Sequence, residues 1–390
     1  MNKLAISTEK KKRYYYDVSI RNFIDTNPSQ TPIEASFSET REQALFDDAP
    51  KKYNLSVVRF SIPTTEIPIQ IISVEYDPLN PTNLNKMKYS VSLKYLNIVY
   101  TQKLEWITQS AFANTALIPP PLPSGLYPSN YIKNANFYAY YGLFSLNHFC
   151  TLINNALDIC FQTNIVPLLP VGVYVSPYIT YTPTSRLFNI FTPLEFLQTN
   201  PNPVFLGFNS LLGFLFLASF DGVGFGYNNP SGYDYQITVL ERGNNNFTTP
   251  AGVPLLSSIQ EYDTTGYISQ FAKILITSGS LHVINDAISS NAQSNTLNTS
   301  QSAVGRGYLP LLTDFEIDNS TKQNLEGFIH YLPTAEYRRI GMTGDTPIKQ
   351  TDISIFWQDI FGEIYPVLIP FNSFASIKIL FEEGARVQFD

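Results

Sequence analysis

Reactive side chains are sparse in this 390-residue chain, and they are scattered rather than grouped. Its three histidines, His148, His282 and His330, each stand alone. None has a second His or Cys at the spacing a zinc site needs, so each is expected on the surface or hydrogen-bonded in a core. Asp314, Glu316 and Asp318 alternate, which on a strand would put three carboxylates on one face. Asp352 and Asp359 fall at a strand end and a turn. Paired carboxylates bind calcium or hydrolyse glycosides, so a glycosidase reading would rest on these residues. Gly222, Gly224 and Gly226 are spaced like a phosphate loop. No Lys-Ser/Thr pair follows them and no strand-to-helix junction surrounds them, which favours a turn. Patterns for nucleophile elbows, zinc proteases, EF-hands and P-loops are absent. No catalytic residue, cofactor site or metal site is therefore predicted, and the weight moves to binding or assembly.

Cys150 and Cys160 fall on one expected helix, where ten residues rise about 15 Å, beyond the reach of a disulfide. Two unpaired thiols and an N-terminus without an apolar core segment point to a reducing, intracellular origin. The chain is acidic, with a formal charge of −7, so its body is a poor nucleic-acid ligand. Positive charge does collect at Lys10, Lys11, Lys12 and Arg13. That run reads either as a solvated tail or as an arm touching DNA or acidic neighbours.

The elements that would carry these residues are mostly strands. Residues 351–381 read as a three-strand meander: Ile353 to Trp357, Ile364 to Ile369, then Ser376 to Phe381 with period-two alternation. Phe356, Trp357 and Phe381 in that stretch are candidates for core or subunit packing. Tyr14 to Ile20, Tyr53 to Ile62 and Gln270 to Thr277 read as further strands, and Tyr89 to Trp106 as a hairpin turning near Tyr95 to Ile98. Residues 205–220 are apolar but short for a bilayer span, and they read as buried core. Residues 118–128 form a proline-rich connector, and residues 289–307 read as an exposed, mobile loop. Helical period appears once, from Ser145 to Phe161, with Ser145 as the N-cap.

Many short strands with Pro/Gly turns and no βαβ alternation predict an all-β fold, a sandwich or jelly roll. The composite middle is then a domain inserted between two halves of that sandwich. The expected boundaries are an extended arm over 1–50, jelly-roll halves over 51–85 and 263–390, and an inserted, mainly β domain with one helix over 86–262. Aromatics make up 14% of residues and charged residues only 15%. That profile suits extensive buried or subunit-facing surface.

Several phrases carry a resemblance. They are YDVSI (16–20), SLNHFCTLINNAL (145–157), YITYTPTSRLFNIF (178–191), QFAKILITSGSLHV (270–283), LLTDFEI (311–317), FIHYLPTAEYRRI (328–340), DISIFWQDIFGEIYPVLIP (352–370) and SIKILF (376–381). In this order they resemble the penton (minor capsid) proteins of virophages and Polinton-like viruses, Sputnik-like virophages in particular. The resemblance implies a single jelly roll split by an insertion, assembled as a homopentamer at the vertices of an icosahedral DNA-virus capsid. It implies no catalysis. Neighbouring major capsid capsomers would be its partners, and assembly would take place in the host cytoplasm. Lys10 to Arg13 would face packaged DNA, and the inserted domain would face outward, where a host or helper-virus surface ligand could meet it. Two other readings stand beside this one: a receptor- or glycan-binding spike module, and a β-sandwich glycoside hydrolase.

Overall fold

The computed structural model describes residues 11–25, 31–73, 86–107, 140–216, 220, 223–227, 234–239, 246–248, 252–283, 286–289, 308–316, 327–332, 338–360 and 364–384. Lys10, Asp318, the proline-rich connector and most of the expected 289–307 loop lie outside them. The chain divides into two compact units. Residues 1–67 and 271–390 build one, and nearly all of residues 68–270 build the other.

Eight strands carry the first unit: β1 (Arg13–Asn22), β2 (Ser36–Thr40), β3 (Tyr53–Pro63), β4 (Phe271–Thr277), β5 (Tyr308–Glu316), β6 (Phe328–Tyr331), β7 (Gln350–Asp359) and β8 (Ser373–Glu383). They form two antiparallel sheets, ordered β1-β8-β3-β6 and β2-β7-β4-β5. That interleaving of first with last and second with seventh strand is a jelly roll. The second unit enters between β3 and β4. Shorter strands extend the edges: Asp286–Ser289 beside β5, Ile364–Pro366 beside β7 and Ile340–Gly341 beside β3.

Two boundaries differ from expectation. Residues 13–22 and 36–40 are jelly-roll strands one and two rather than an extended arm. The units part near residues 67/68 and 270/271 rather than at 85/86 and 262/263. The reason is pairing: Gln70–Ser73 binds Tyr140–Leu143, which draws that segment into the inserted unit.

Register fixes which side chains meet in the sandwich. Tyr14, Tyr16, Val18 and Ile20 lie opposite Phe381, Ile379, Ile377 and Ala375, and this row faces inward. From the other sheet Ile353, Ile355 and Trp357 point in, all under 5% exposed. Phe60 packs between Phe315 at 4.6 Å and Tyr331 at 5.2 Å, joining the two sheets. At one end Phe46 covers Tyr53 (4.4 Å) and Phe381 (5.4 Å). Tyr16 crosses between sheets: its hydroxyl donates to Glu39 Oε2 at 2.7 Å and lies 2.9 Å from Thr351 Oγ1.

Besides the Gln70–Ser73/Tyr140–Leu143 pair, the described residues of the inserted unit form two larger sheets, one long helix and shorter helical turns. One sheet runs Val223–Tyr227, Asp234–Val239, Phe205–Asn209, Lys86–Tyr95, Ile98–Glu105; the other runs Asn246–Thr248, Pro254–Ile259, Leu187–Pro193, Tyr178–Thr182. The glycine-spaced segment expected to be a turn is in part a strand, because 223–227 pairs with 234–239. Helix α1 (Leu146–Cys160) starts after Ser145 and buries Phe149, Leu152, Ile153 and Leu157. Asn154 docks it to the edge strand, donating to Ile179 O at 2.8 Å and accepting from Ile179 N at 2.7 Å. Phe216 sits within ring contact of Phe188 (5.0 Å), Phe208 (5.7 Å) and Phe149 (6.4 Å). The described part of the apolar run that contains it is split between a strand and the short helix Ser210–Leu215; Leu206, Phe208, Leu212 and Phe216 are core, whereas Leu211 and Phe214 are half exposed. Among the described residues no helix is long and apolar enough to cross a membrane.

Candidate functional site

Among the described residues, those picked out for chemistry are dispersed, and several are engaged by their immediate neighbours. His148 is buried on α1, 2.6 Å from Ile107 O, with its ring against Trp106. Burial lowers its pKa, partly offset by the backbone hydrogen bond. His282 and His330 are exposed. Asp314 accepts from Lys273 Nζ (3.2 Å) and Arg338 Nη1 (2.9 Å), while Glu316 two residues on is exposed. Asp352 closes the turn after β4: Ser278 Oγ and Ser280 N donate to its Oδ1 at 2.9 and 2.7 Å, and Gly279 N donates to Oδ2 at 3.0 Å. Desolvation opposes ionisation there, but these donors outweigh it and its pKa is lowered. Asp359 is buried at the end of β7. Among the described residues no group of His, Cys, Asp and Glu is placed to hold a metal. Burial pushes the Cys150 thiol up to about 12 and the Cys160 thiol up to about 11, so neither is a nucleophile at neutral pH.

Arg13 of the basic run and the packing residues lie on strands of the jelly roll. Arg13 opens β1 opposite Glu382 of β8, donating to Glu382 Oε1 from Nε at 2.7 Å and from Nη2 at 2.6 Å. Arg339 Nη2 reaches Glu382 Oε2 at 3.4 Å, and the Glu382 side chain is only 7% exposed. Desolvation raises the Glu382 pKa, yet the two arginines prevail and hold it below the ordinary glutamate value. One residue earlier, Lys12 Nζ donates to Asp48 Oδ2 at 2.9 Å. Asp48 also accepts from Lys52 Nζ (2.9 Å) and Tyr53 Oη (3.1 Å), and these donors depress its pKa strongly. Two of the four cations expected to meet DNA are therefore engaged by the chain's own carboxylates. Lys11 is exposed. Phe356, Trp357 and Phe381 are 9%, 4% and 1% exposed, with Trp357 stacked on Tyr365 at 4.4 Å. Motif reading did not single out Glu382 and Asp48. For Glu382 the signal is positional, since it lies 369 residues from Arg13 and only the pairing of β1 with β8 brings the two together; Asp48 sits in the loop before β3.

The described residues build a split jelly roll with a large insertion. A search of known proteins finds the same architecture. The family model for the Sputnik minor capsid protein V18/19 matches residues 14–383. The chain is 28% identical over 173 residues to the structural protein V19 of Sputnik virophage, covering 43% of this chain and 76% of that protein. It is 32% identical over 154 residues to protein V18 of the same virophage, covering 40% of this chain and 85% of that protein. A chain in the 3.5 Å cryo-EM structure of the Sputnik virophage superposes with a TM-score of 0.73 at 25% identity, over 96% of this chain and 98% of that one. The mavirus penton protein shares the fold, with a TM-score of 0.58 at 14% identity over 95% and 99% of the two chains. Neither the spike-module nor the glycoside-hydrolase reading finds support in these matches. The chain belongs to the Sputnik minor capsid protein V18/19 family and is a structural component of a virophage capsid, not an enzyme.

Proposed function

We propose that this chain assembles as a ring of five copies at the vertices of the icosahedral capsid, bounded by capsomers of the major capsid protein. The observation that carries this reading is the insertion between strands three and four of a complete jelly roll, an arrangement whose fold likeness extends over nearly the whole mavirus penton chain. Closed rings use heterologous contacts, with one side of each copy against a different side of the next. The low charged fraction of 15% limits the desolvation cost of such contacts. Native mass spectrometry of the purified full chain tests the ring. The expected mass is five times the 44.0 kDa of one chain. A stable single-chain species at assembly concentrations contradicts it.

Contact with packaged DNA, in this reading, falls to Lys10 and Lys11, because Lys12 and Arg13 are ion-paired. Removing residues 1–11 is expected to leave the ring intact and lower the DNA retained per capsid. Equal DNA content would rule that contact out.

A further inference from the structure

The outward face of the β1-β8-β3-β6 sheet is not a featureless polar surface. Its register lines side chains up in three rows across the strands, about 7 Å apart. One row is charged: Asp17 lies opposite Lys378, and Lys378 opposite Arg59. Asp17 pairs with Lys378 at 3.2 Å and with Arg59 at 3.7 Å. The next row is small, with Ser19, Ser376 and Ser61 ending at His330. Beyond it lie Phe374, opposite Arg21, and Phe328, opposite Pro63. Their rings are 5.7 Å apart, and the side chains are 41% and 42% exposed. His330 stacks against Phe328 at 5.8 Å. The result is a serine-floored trough with an aromatic ridge on one side and a charged ridge on the other.

We propose that this face is the surface against which a second copy of this chain docks, an inference that rests on the ring reading above. Exposed aromatics beside arginines are the composition of interface centres, where a few such side chains carry most of the affinity. Charge selects the occupant. On the outward side of the four strands Arg13, Arg21, Arg59 and Lys378 stand against Asp17 and the covered Glu382, a net of +2. The whole chain carries −7, so the rest of each copy carries −9. A cationic face on an acidic molecule attracts another part of the same molecule, and heterologous ring closure supplies that pairing. Duplex DNA would satisfy the cations but offers no apolar surface for the two phenylalanines.

The test compares native masses of three full-length proteins: wild type, Phe328→Asp combined with Phe374→Asp, and Arg21→Glu. The double variant is expected as single chains with an unchanged circular-dichroism spectrum, since both rings are already part-exposed. Arg21→Glu is expected to raise the concentration for half-assembly at least tenfold at low salt, which keeps the test decisive if the double variant misfolds. Variants that assemble like the wild type overturn the docking face while leaving the ring standing. A wild type that stays a single chain overturns both. Loss of duplex-DNA binding in the variants with assembly unchanged assigns the face to nucleic acid and overturns it as well.

Discussion

Glu382 is the residue where charge and burial are most tightly balanced. Its carboxylate is nearly buried, and it stays ionised because Arg13 and Arg339 reach it from two directions. A carboxyl whose folded pKa lies below its unfolded value stabilises the fold above that unfolded value, near 4.5 for glutamate, and loses the contribution as pH falls through the folded one. Asp48 acts with the same sign. Acid is therefore expected to loosen the corner where β1 meets β8. Glu382→Gln should cost about 1–2 kcal/mol in denaturant unfolding at pH 7. It should also flatten the acid limb of the stability profile; an unchanged acid limb would show the pair to be inert. The thiols make a second expectation. With pKa values pushed up to about 12 and 11 and both side chains buried, Cys150 and Cys160 should resist iodoacetamide at pH 8 in the folded protein and react once it is unfolded. Rapid labelling of the native protein would contradict their placement. No sequence pattern announces Glu382, because its partner Arg13 stands 369 residues away. That the two cysteines stay unpaired was legible, since it needed only their spacing along one helix.

At the scale of elements, legibility followed burial. β7 and β8 announce themselves because one face is wholly apolar, from Ile353 to Trp357 and from Ile377 to Phe381. α1 does so because its apolar residues recur at helical period. β2 does not: Ser36, Ser38 and Thr40 are exposed on an edge strand, and polar residues are what an edge tolerates. Its pairing with Gln350 to Ser354 of β7, not its own composition, makes it a strand. The consequence is testable. Deleting residues 1–50 removes jelly-roll strands one and two and is expected to abolish folding, whereas deleting 1–11 leaves the thermal melt within a few degrees of wild type. A folded Δ1–50 protein would show that these strands are dispensable. The hairpin and its turn at 95–98 were legible from the alternation, but the backbone conformation of the turn was not. Leu96 and Asn97 take φ of 48° and 65°, a conformation that suits asparagine and strains leucine. Leu96 is 53% exposed, so Leu96→Asn sacrifices no core and should stabilise by roughly 0.5–1 kcal/mol. A destabilised variant would mean that Leu96 makes contacts beyond the single chain.

For the whole molecule, the jelly roll closes only when strands from both chain ends meet: β1 on β8, and β8 on β3, more than 300 residues apart in sequence. Such long-range pairing makes folding slow. The all-β class and the existence of an insertion could be read from strand spacing alone. The strand order could not, because antiparallel pairing across the insertion leaves no local trace in the sequence. What the molecule does follows from surfaces rather than from any reactive centre. The most direct measurement is an icosahedral cryo-EM reconstruction of the virion that encloses this chain. Five copies of the split jelly roll around every five-fold axis are predicted, each presenting Phe328 and Phe374 to its neighbour. Vertices filled by another protein, with this chain elsewhere in the shell, would contradict the pentameric role.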